Sequence, residues 1–535
     1  MSNLRSIVDQ TARRIKEEIS EQDEWRDAAP ESQGIRKRIH TTVDEVFSFL
    51  ERRGDRATFD GVEKALVRLV FMLGRLFLAY FLAWREEHSE KEIETARRDG
   101  FWPGDPQPRL LGTFFGKVRY WRTYMRDRDG GGVYPLDAAL GLTADGFSML
   151  VLSLAARLAT VVSFDQVTGL LLTFLSWSPS KTSVEKAVLG FGRYTTEWFE
   201  KAPPPGGDGE VLVIQFDGKA TPTATEGELE KRRGTRRPNP YPDSPRHRGR
   251  EKRRRRGSKP RRRKGDKAKN GKAATLVVMY TLKIAQDAKG LVILKGPINR
   301  KVYASYAKKG HAFAIARREA DKRGFTAGSG KTIQIVTDGD LGMESLIRDT
   351  FPEATHTLDI MHALDYLWTA GECLHKEGSP ELVAWIEDMK GFMYAGKVKL
   401  IIRRLKKALE EKPKKGPGNK GKRKRLAAVI NYYEKRVHMM DYGHLAEQDL
   451  EIGSGSVEGA VKHVIGKRFD YGSMRWIKER AEALLQLRCI EINGDWDSFV
   501  AFVHQKLRAK ATRELELQTL MTSKVSPLPT YGLAA

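Results

Sequence analysis

Between residues 211 and 358 the chain alternates short β-branched runs with helical patterns, and this order limits the fold more than any other feature. VLVIQF (211–216) is an apolar run of strand length, interrupted only by Gln215, and reads as a central strand. TLVVMYTLKIA (275–285) and LVILKG (291–296), separated by 286–290, read as a hairpin. A helix is expected over Tyr303 to Arg323, then a strand in KTIQIVTDG (331–339). A short helix from Leu341 to Asp349 and a strand from Ala354 to Leu358 complete the series. Asp217-Gly218 and Asp338-Gly339 follow two of the apolar runs. An Asp-Gly after a strand is ordinarily a turn.

A third acid lies far downstream. In GSGSVEGAVKHVIGKRFDYGSMRW (453–476) the glycines form a turn, Ser456 is the expected N-cap, and Val457 opens a helical pattern through Val461, Val464, Ile465 and Arg468. Glu458 then sits in the first turn, where the helix dipole favours an acid whatever its role. Strand, hairpin, helix, strand, helix, strand is the order of a ribonuclease-H-like core, three antiparallel strands followed by parallel additions. In that α/β fold the first and fourth strands are neighbours, and Asp217, Asp338 and Glu458 converge. Such carboxylates suit magnesium, with manganese as its substitute, because a hard cation needs only two or three of them besides phosphate oxygens and water. Two such ions support in-line displacement at phosphorus. Asp340 competes with Asp338 for the second position.

Charge names the partner. Residues 231–272 carry 21 Lys or Arg against three acids, most of the chain's net charge of +25. Pro, Gly and Ser punctuate this segment and apolar residues are scarce, so disorder without a partner is expected. Arg253, Arg254, Arg255, Arg256, Arg261, Arg262 and Arg263 are its densest cations, and Lys462 joins them as a candidate phosphate contact beside Glu458. A polyanion is the natural partner. The segment is expected to leave the sheet at Asp217, on the catalytic end, and to hold DNA there by counterion release.

Only Cys373 and Cys489 are present, which argues against a disulfide framework or a multi-cysteine zinc finger and suits a reducing cytoplasm. The first residues have no apolar signal-peptide core. Leu66 to Trp84 is apolar but holds Arg68 and Arg75 on one helical face, so a buried amphipathic helix is expected rather than a membrane span.

The expected organisation runs as follows. Residues 1–93 are helical, with Ile7, Ile15 and Ile19 on an arm or coiled-coil contact or on a solvated helix packed on its own domain, and 94–108 are a Pro/Gly linker or ordered loop. Residues 109–200 hold a strand or hairpin over Phe114 to Met125, then a helix pair of helix-turn-helix type. There Ser163 caps the first helix, and Ser180, or Thr182 with Glu185, caps the second. Arg119, Arg122 and Arg126 are candidate phosphate contacts. The core occupies 210–360, a helical insertion 361–452 split by the Lys/Gly/Pro tract 412–425, the second core part 453–512, and a flexible tail 513–535.

FDGK (216–219), TDG (337–339), GSGSVEG (453–459) and Asp359-x-x-His362 occur in this order. Together they resemble the DDE transposases of bacterial insertion sequences of the ISKra type, and more distantly the Mutator-like group, which has a (Cys/Asp)-x-x-His motif after its second aspartate. The resemblance spans roughly 100–510 and implies that Asp217, Asp338 and Glu458 bind the metals. It implies that His362, with Asp359, lies beside the scissile phosphate or orients the DNA strand. It implies metal-dependent cleavage at transposon ends, and then attack of the freed 3′ hydroxyls on target DNA. Double-stranded DNA bearing terminal inverted repeats is the implied substrate, and a homodimer or larger assembly the implied unit, acting at the nucleoid and not at a membrane. A nuclease that never joins, or a DNA-binding protein that has lost catalysis, are the alternatives.

Overall fold

The computed structural model describes residues 31–53, 58–126, 131–142, 145–175, 177–226, 271–290, 292–470 and 474–514. The arm containing Ile7, Ile15 and Ile19, the arginines at 253–256 and 261–263, and the tail beyond 514 lie outside the described residues. The chain forms two compact units. Among the described residues, one comprises 31–159, 163–190 and 500–514; the other comprises 160–162 and 191–499.

In the first unit, helices α1 (Ser32–Arg53) and α2 (Phe59–Glu87) pack on a hairpin of β1 (Trp102–Thr113) and β2 (Gly116–Arg126). Their core joins Ile35, Ile39, Leu76, Leu82, Leu111, Val118 and Tyr120. Helix α3 (Glu90–Arg98) and β1 occupy the stretch expected to be a linker. Pro103, Pro106 and Pro108 are accommodated because β1 is an edge strand whose ladder partner at these positions is β2 alone, so their missing N–H groups break no second ladder. Phe114 and Phe115 form the hairpin turn instead of opening a strand, Gly116 taking the positive φ (+122°) that follows.

Helix α2 is less buried than expected. Leu76, Ala79 and Leu82 are covered, while Val67, Val70, Phe77, Phe81 and Trp84 are exposed. By length and apolarity alone it matches a membrane span. Arg122 is not available to a phosphate: its guanidinium is ion-paired with buried Asp137 and lies 3.4 Å from the Tyr134 ring centre.

Strand β3 (Gly132–Val133) completes this small sheet, and α4 (Pro135–Leu140), α5 (Met149–Ala159), α6 (Phe164–Leu175), α7 (Lys181–Gly192) and α8 (Thr195–Lys201) follow. Ser163 caps α6 reciprocally with Gln166: its Oγ accepts from Gln166 N at 3.3 Å, and Gln166 Oε1 accepts from Ser163 N at 3.0 Å. Ser180 accepts from Ser183 N at 3.1 Å ahead of α7, leaving Thr182 inside that helix and not at its cap.

The second unit is built on a mixed sheet ordered β6-β5-β4-β7-β8. Strands β4 (Val211–Pro222), β5 (Gly271–Gln286) and β6 (Val292–Ser305) are antiparallel, while β7 (Thr332–Thr337) and β8 (Thr355–Leu358) are added in parallel. Leu212, Ile214, Phe216, Ile333 and Ile335 point to one face, into a core shared with α9 (Lys309–Lys322) and α10 (Leu341–Thr350). Alternation sends Gln215, Asp217, Gln334 and Val336 to the other face.

Two strands outrun their apolar runs. β4 does not end at Asp217 but continues, paired with β5, to Pro222 opposite Gly271. The basic segment therefore leaves the sheet five residues beyond Asp217, on the order of 17 Å away. β6 runs to Ser305, so Tyr303 is a strand residue and the helix starts at Lys309.

The insertion consists mainly of α11 (Ile360–Leu374), α12 (Pro380–Tyr394), α13 (Val398–Glu411) and α14 (Asn419–Arg436), then a short α15 (Tyr442–Glu447). The tract 412–425 does not split it evenly, since residues from Asn419 onward already belong to α14. The chain returns through α16 (Gly455–Ala460), which widens into a π-helix over Val461–Asp470. Ser456 lies inside α16 and not at its cap. Arg488, on α17 (Lys478–Ile492), donates to the carbonyls of Val464 (2.7 Å) and His463 (2.5 Å) in the widened segment. Helix α18 (Trp496–Glu514) ends the described chain.

Candidate functional site

The last parallel pair between β4 and β7 is Gln215 with Val336. Two positions further along each strand, in step, stand Asp217 and Asp338. Neighbouring strands lie about 4.8 Å apart, so the two acids start from adjacent backbones. Gly218 N donates to Asp217 Oδ1 at 2.5 Å.

Asp338 occupies a turn gripped from behind by α14. Tyr432 Oη donates to the Asp338 carbonyl (3.2 Å), and Arg436 Nε to the Gly339 carbonyl (2.7 Å). Gly339 has φ +79°, and a Cβ there would meet Leu358 and Arg436 at 2.6 and 2.7 Å, so glycine is required on both counts. Asp340 is used differently. Its side chain caps α10 through Gly342 N (2.8 Å) and is ion-paired with Lys309, which together hold its carboxyl below the usual range. Asp340→Ala is expected to cost about 1 kcal/mol, as a lost cap does. Urea unfolding checks this.

Two buried glutamines dock the returning chain that carries Glu458. Gln215 Nε2 donates to the Gly453 carbonyl (3.3 Å), and its Oε1 accepts from Val457 N (2.9 Å). On the next strand Gln334 makes the same pair with Glu451, donating to its carbonyl (2.6 Å) and accepting from its N–H (3.0 Å). A Gln inside each of two otherwise apolar strand runs was the sequence signal for this clamp. Gln215→Leu strands a buried N–H and a buried carbonyl, at about 1–3 kcal/mol each. We expect a stability loss of about 3 kcal/mol by urea unfolding.

Asp359 is fully buried and closes the same junction. Its Oδ2 accepts from Ser454 Oγ at 2.6 Å, while its Oδ1 caps α11 at Met361 N (3.0 Å) and accepts from Ser454 N (3.3 Å). His362 Nε2 is 3.9 Å from Asp359 Oδ2. Ligand atoms of Asp359, His362 and Glu458 all lie within 4.8 Å of one another. Burial pushes the Asp217 carboxyl above the ordinary range. The Gly218 N–H opposes this, the Asp338 charge adds to it, His362 opposes it and Glu458 adds to it. Asp217 thus feels Asp338, His362 and Glu458 together. Lys462 is exposed, and Lys219, on the Asp217 side of β4, is paired with Asp470 at 2.8 Å.

No protein-family model matches the chain, and no curated protein matches it. Among solved structures it is similar to the Drosophila P element transposase strand transfer complex, at 12% identity and a TM-score of 0.27, over 66% of this chain and 93% of that one.

Proposed function

We propose that the protein is a DNA transposase that cleaves and joins phosphodiester bonds at a divalent-metal site of Asp217, Asp338 and Glu458. The observation that carries this reading is geometric: Asp217 and Asp338 stand in step beyond the last pair of two adjacent parallel strands, and Gln215, two residues before Asp217, holds the chain segment that bears Glu458. Gathering carboxylates this way disfavours the folded state until a cation neutralises them. The strand order, three antiparallel then two parallel, supports a ribonuclease-H-like core. The finer assignment, to insertion-sequence enzymes of the ISKra type, rests on the FDGK, TDG, GSGSVEG and Asp359-x-x-His362 motifs.

The donor set fits magnesium, since it offers carboxylate oxygens, and the imidazole of His362 suits manganese also. Bound there, two such ions supply Lewis-acid activation of the attacking oxygen and charge neutralisation at the leaving one. The chain's own residues do the rest. Asp217, Asp338 and Glu458 hold the cations. His362, anchored beside Asp359, is placed to donate to a phosphate oxygen. The basic segment 231–272 and Lys462 bind the DNA backbone, and the helix pair α6–α7 reads the terminal inverted repeats. Two ends must be joined, so the working unit is a dimer or larger, acting at the nucleoid. The test is a strand-transfer assay with the element's ends, a target plasmid and magnesium. Joined products support the reading. Cleaved but unjoined ends mean a nuclease, and binding without cleavage means a non-catalytic descendant.

A further inference from the structure

The acidic site has an aromatic neighbour that the chemistry above does not use. Helix α11 carries His362 and, about one turn and 6 Å further on, Tyr366. The Tyr366 ring lies on that of Tyr432, with centroids 3.6 Å apart and planes 12° from parallel. The Arg436 guanidinium lies 3.9 Å from the Tyr432 ring centre. Both neighbours are at stacking distance, so they occupy opposite faces of Tyr432. Arg436 is buried and tethered to the Gly339 and Tyr432 carbonyls, and Tyr432 to the Asp338 carbonyl. The pile is therefore fixed from beneath and bound to the turn that bears Asp338. It ends in Tyr366, which is 36% exposed.

We propose that Tyr366 is a stacking platform for one unpaired nucleobase of the DNA strand held at the acidic site. The proposal rests on the transposase reading. A phosphodiester inside a duplex is hard to bring against a half-buried carboxylate, and splaying the adjoining base out of the helix opens that path. A base so extruded needs a flat apolar surface, and an aromatic ring accepts any base because each has a π-face. The rigid pile supplies that ring about one helical turn from His362. Stacking uses the ring and not the hydroxyl, so phenylalanine should serve as well as tyrosine.

The experiment uses the full chain, calcium in place of magnesium, and a duplex with a short single-stranded 3′ tail carrying 2-aminopurine as its first unpaired base. Wild type and Tyr366→Phe should quench the fluorophore several-fold. Tyr366→Leu should abolish the quench and weaken binding of the tailed duplex about ten-fold, while a blunt duplex binds unchanged. Quenching by Tyr366→Leu equal to that of wild type, or none by wild type, overturns the platform. Magnesium-dependent cleavage in parallel separates the two ideas: DNA cleaved without quenching sinks the platform alone. Cleavage equally fast in Asp217→Ala removes the underlying reading.

Discussion

Asp217→Asn, Asp338→Asn and Glu458→Gln are each expected to abolish the proposed metal-dependent DNA cleavage while leaving DNA binding in place. Metal ions at such a site supply several kcal/mol of transition-state stabilisation, and each 1.36 kcal/mol is tenfold, so the expected loss is about a thousand-fold or more. Single-turnover cleavage beside a gel-shift titration measures it. Asp217→Asn has a second signature. The Asp217 carboxyl is raised in the folded protein, by burial above all and by the acids beside it. The fold thus favours its neutral form, an advantage present at low pH and lost as pH rises past the folded value. At neutral pH without metal, Asp217→Asn should therefore raise the midpoint of thermal unfolding. Near pH 3 the gain should vanish. Saturating magnesium should stabilise the wild type and barely affect the variant, because only the wild type gains by mass action. A variant that loses stability at neutral pH without metal, yet cleaves normally, contradicts the assignment of Asp217.

Replacing residues 227–270 with a six-residue Gly/Ser linker should weaken DNA binding strongly and flatten its salt dependence. If about six of the cations reach phosphates, wild-type affinity falls about a thousand-fold between about 50 and 200 mM salt, and the shortened protein loses most of that slope. The fold should tolerate the change. Pro222 and Gly271 face each other across β4 and β5, and only four residues separate Pro222 from the replaced stretch, so a six-residue linker can span the gap. The bridge from Thr223 and Ala224 to Trp476 is retained. An unchanged salt slope would mean that the positive charge serves solubility instead.

Much of the core was legible locally. VLVIQF and TIQIV are largely apolar, as central strands are, and each leads to an aspartate. Other boundaries depended on partners far along the chain. GKATP after Asp217 has the composition of a turn, yet it is strand because β5 supplies a pairing partner as far as Gly271. Tyr303 was assigned to a helix because short apolar runs fit both periods, and pairing with β5 settled the matter. The prolines of 102–108 suggested a linker, but an edge position removes the penalty that made that reading attractive.

The sequence alone determined which residues are strand-forming, where helices turn amphipathic, that one segment is overwhelmingly cationic, and that acids stand at Asp217, Asp338, Asp340, Asp359 and Glu458. Those are local properties, written in side-chain type and spacing. Tertiary structure alone decided how the acids divide. Register across β4 and β7 sets Asp217 and Asp338 in step, while Asp340 turns to a helix cap and Lys309. Gln215, Gln334 and Asp359 bring Glu458 to the sheet through hydrogen bonds that span 242, 117 and 95 residues of chain. Such convergence depends on long-range pairing and buried hydrogen bonds, and no period of two or 3.6 residues encodes either.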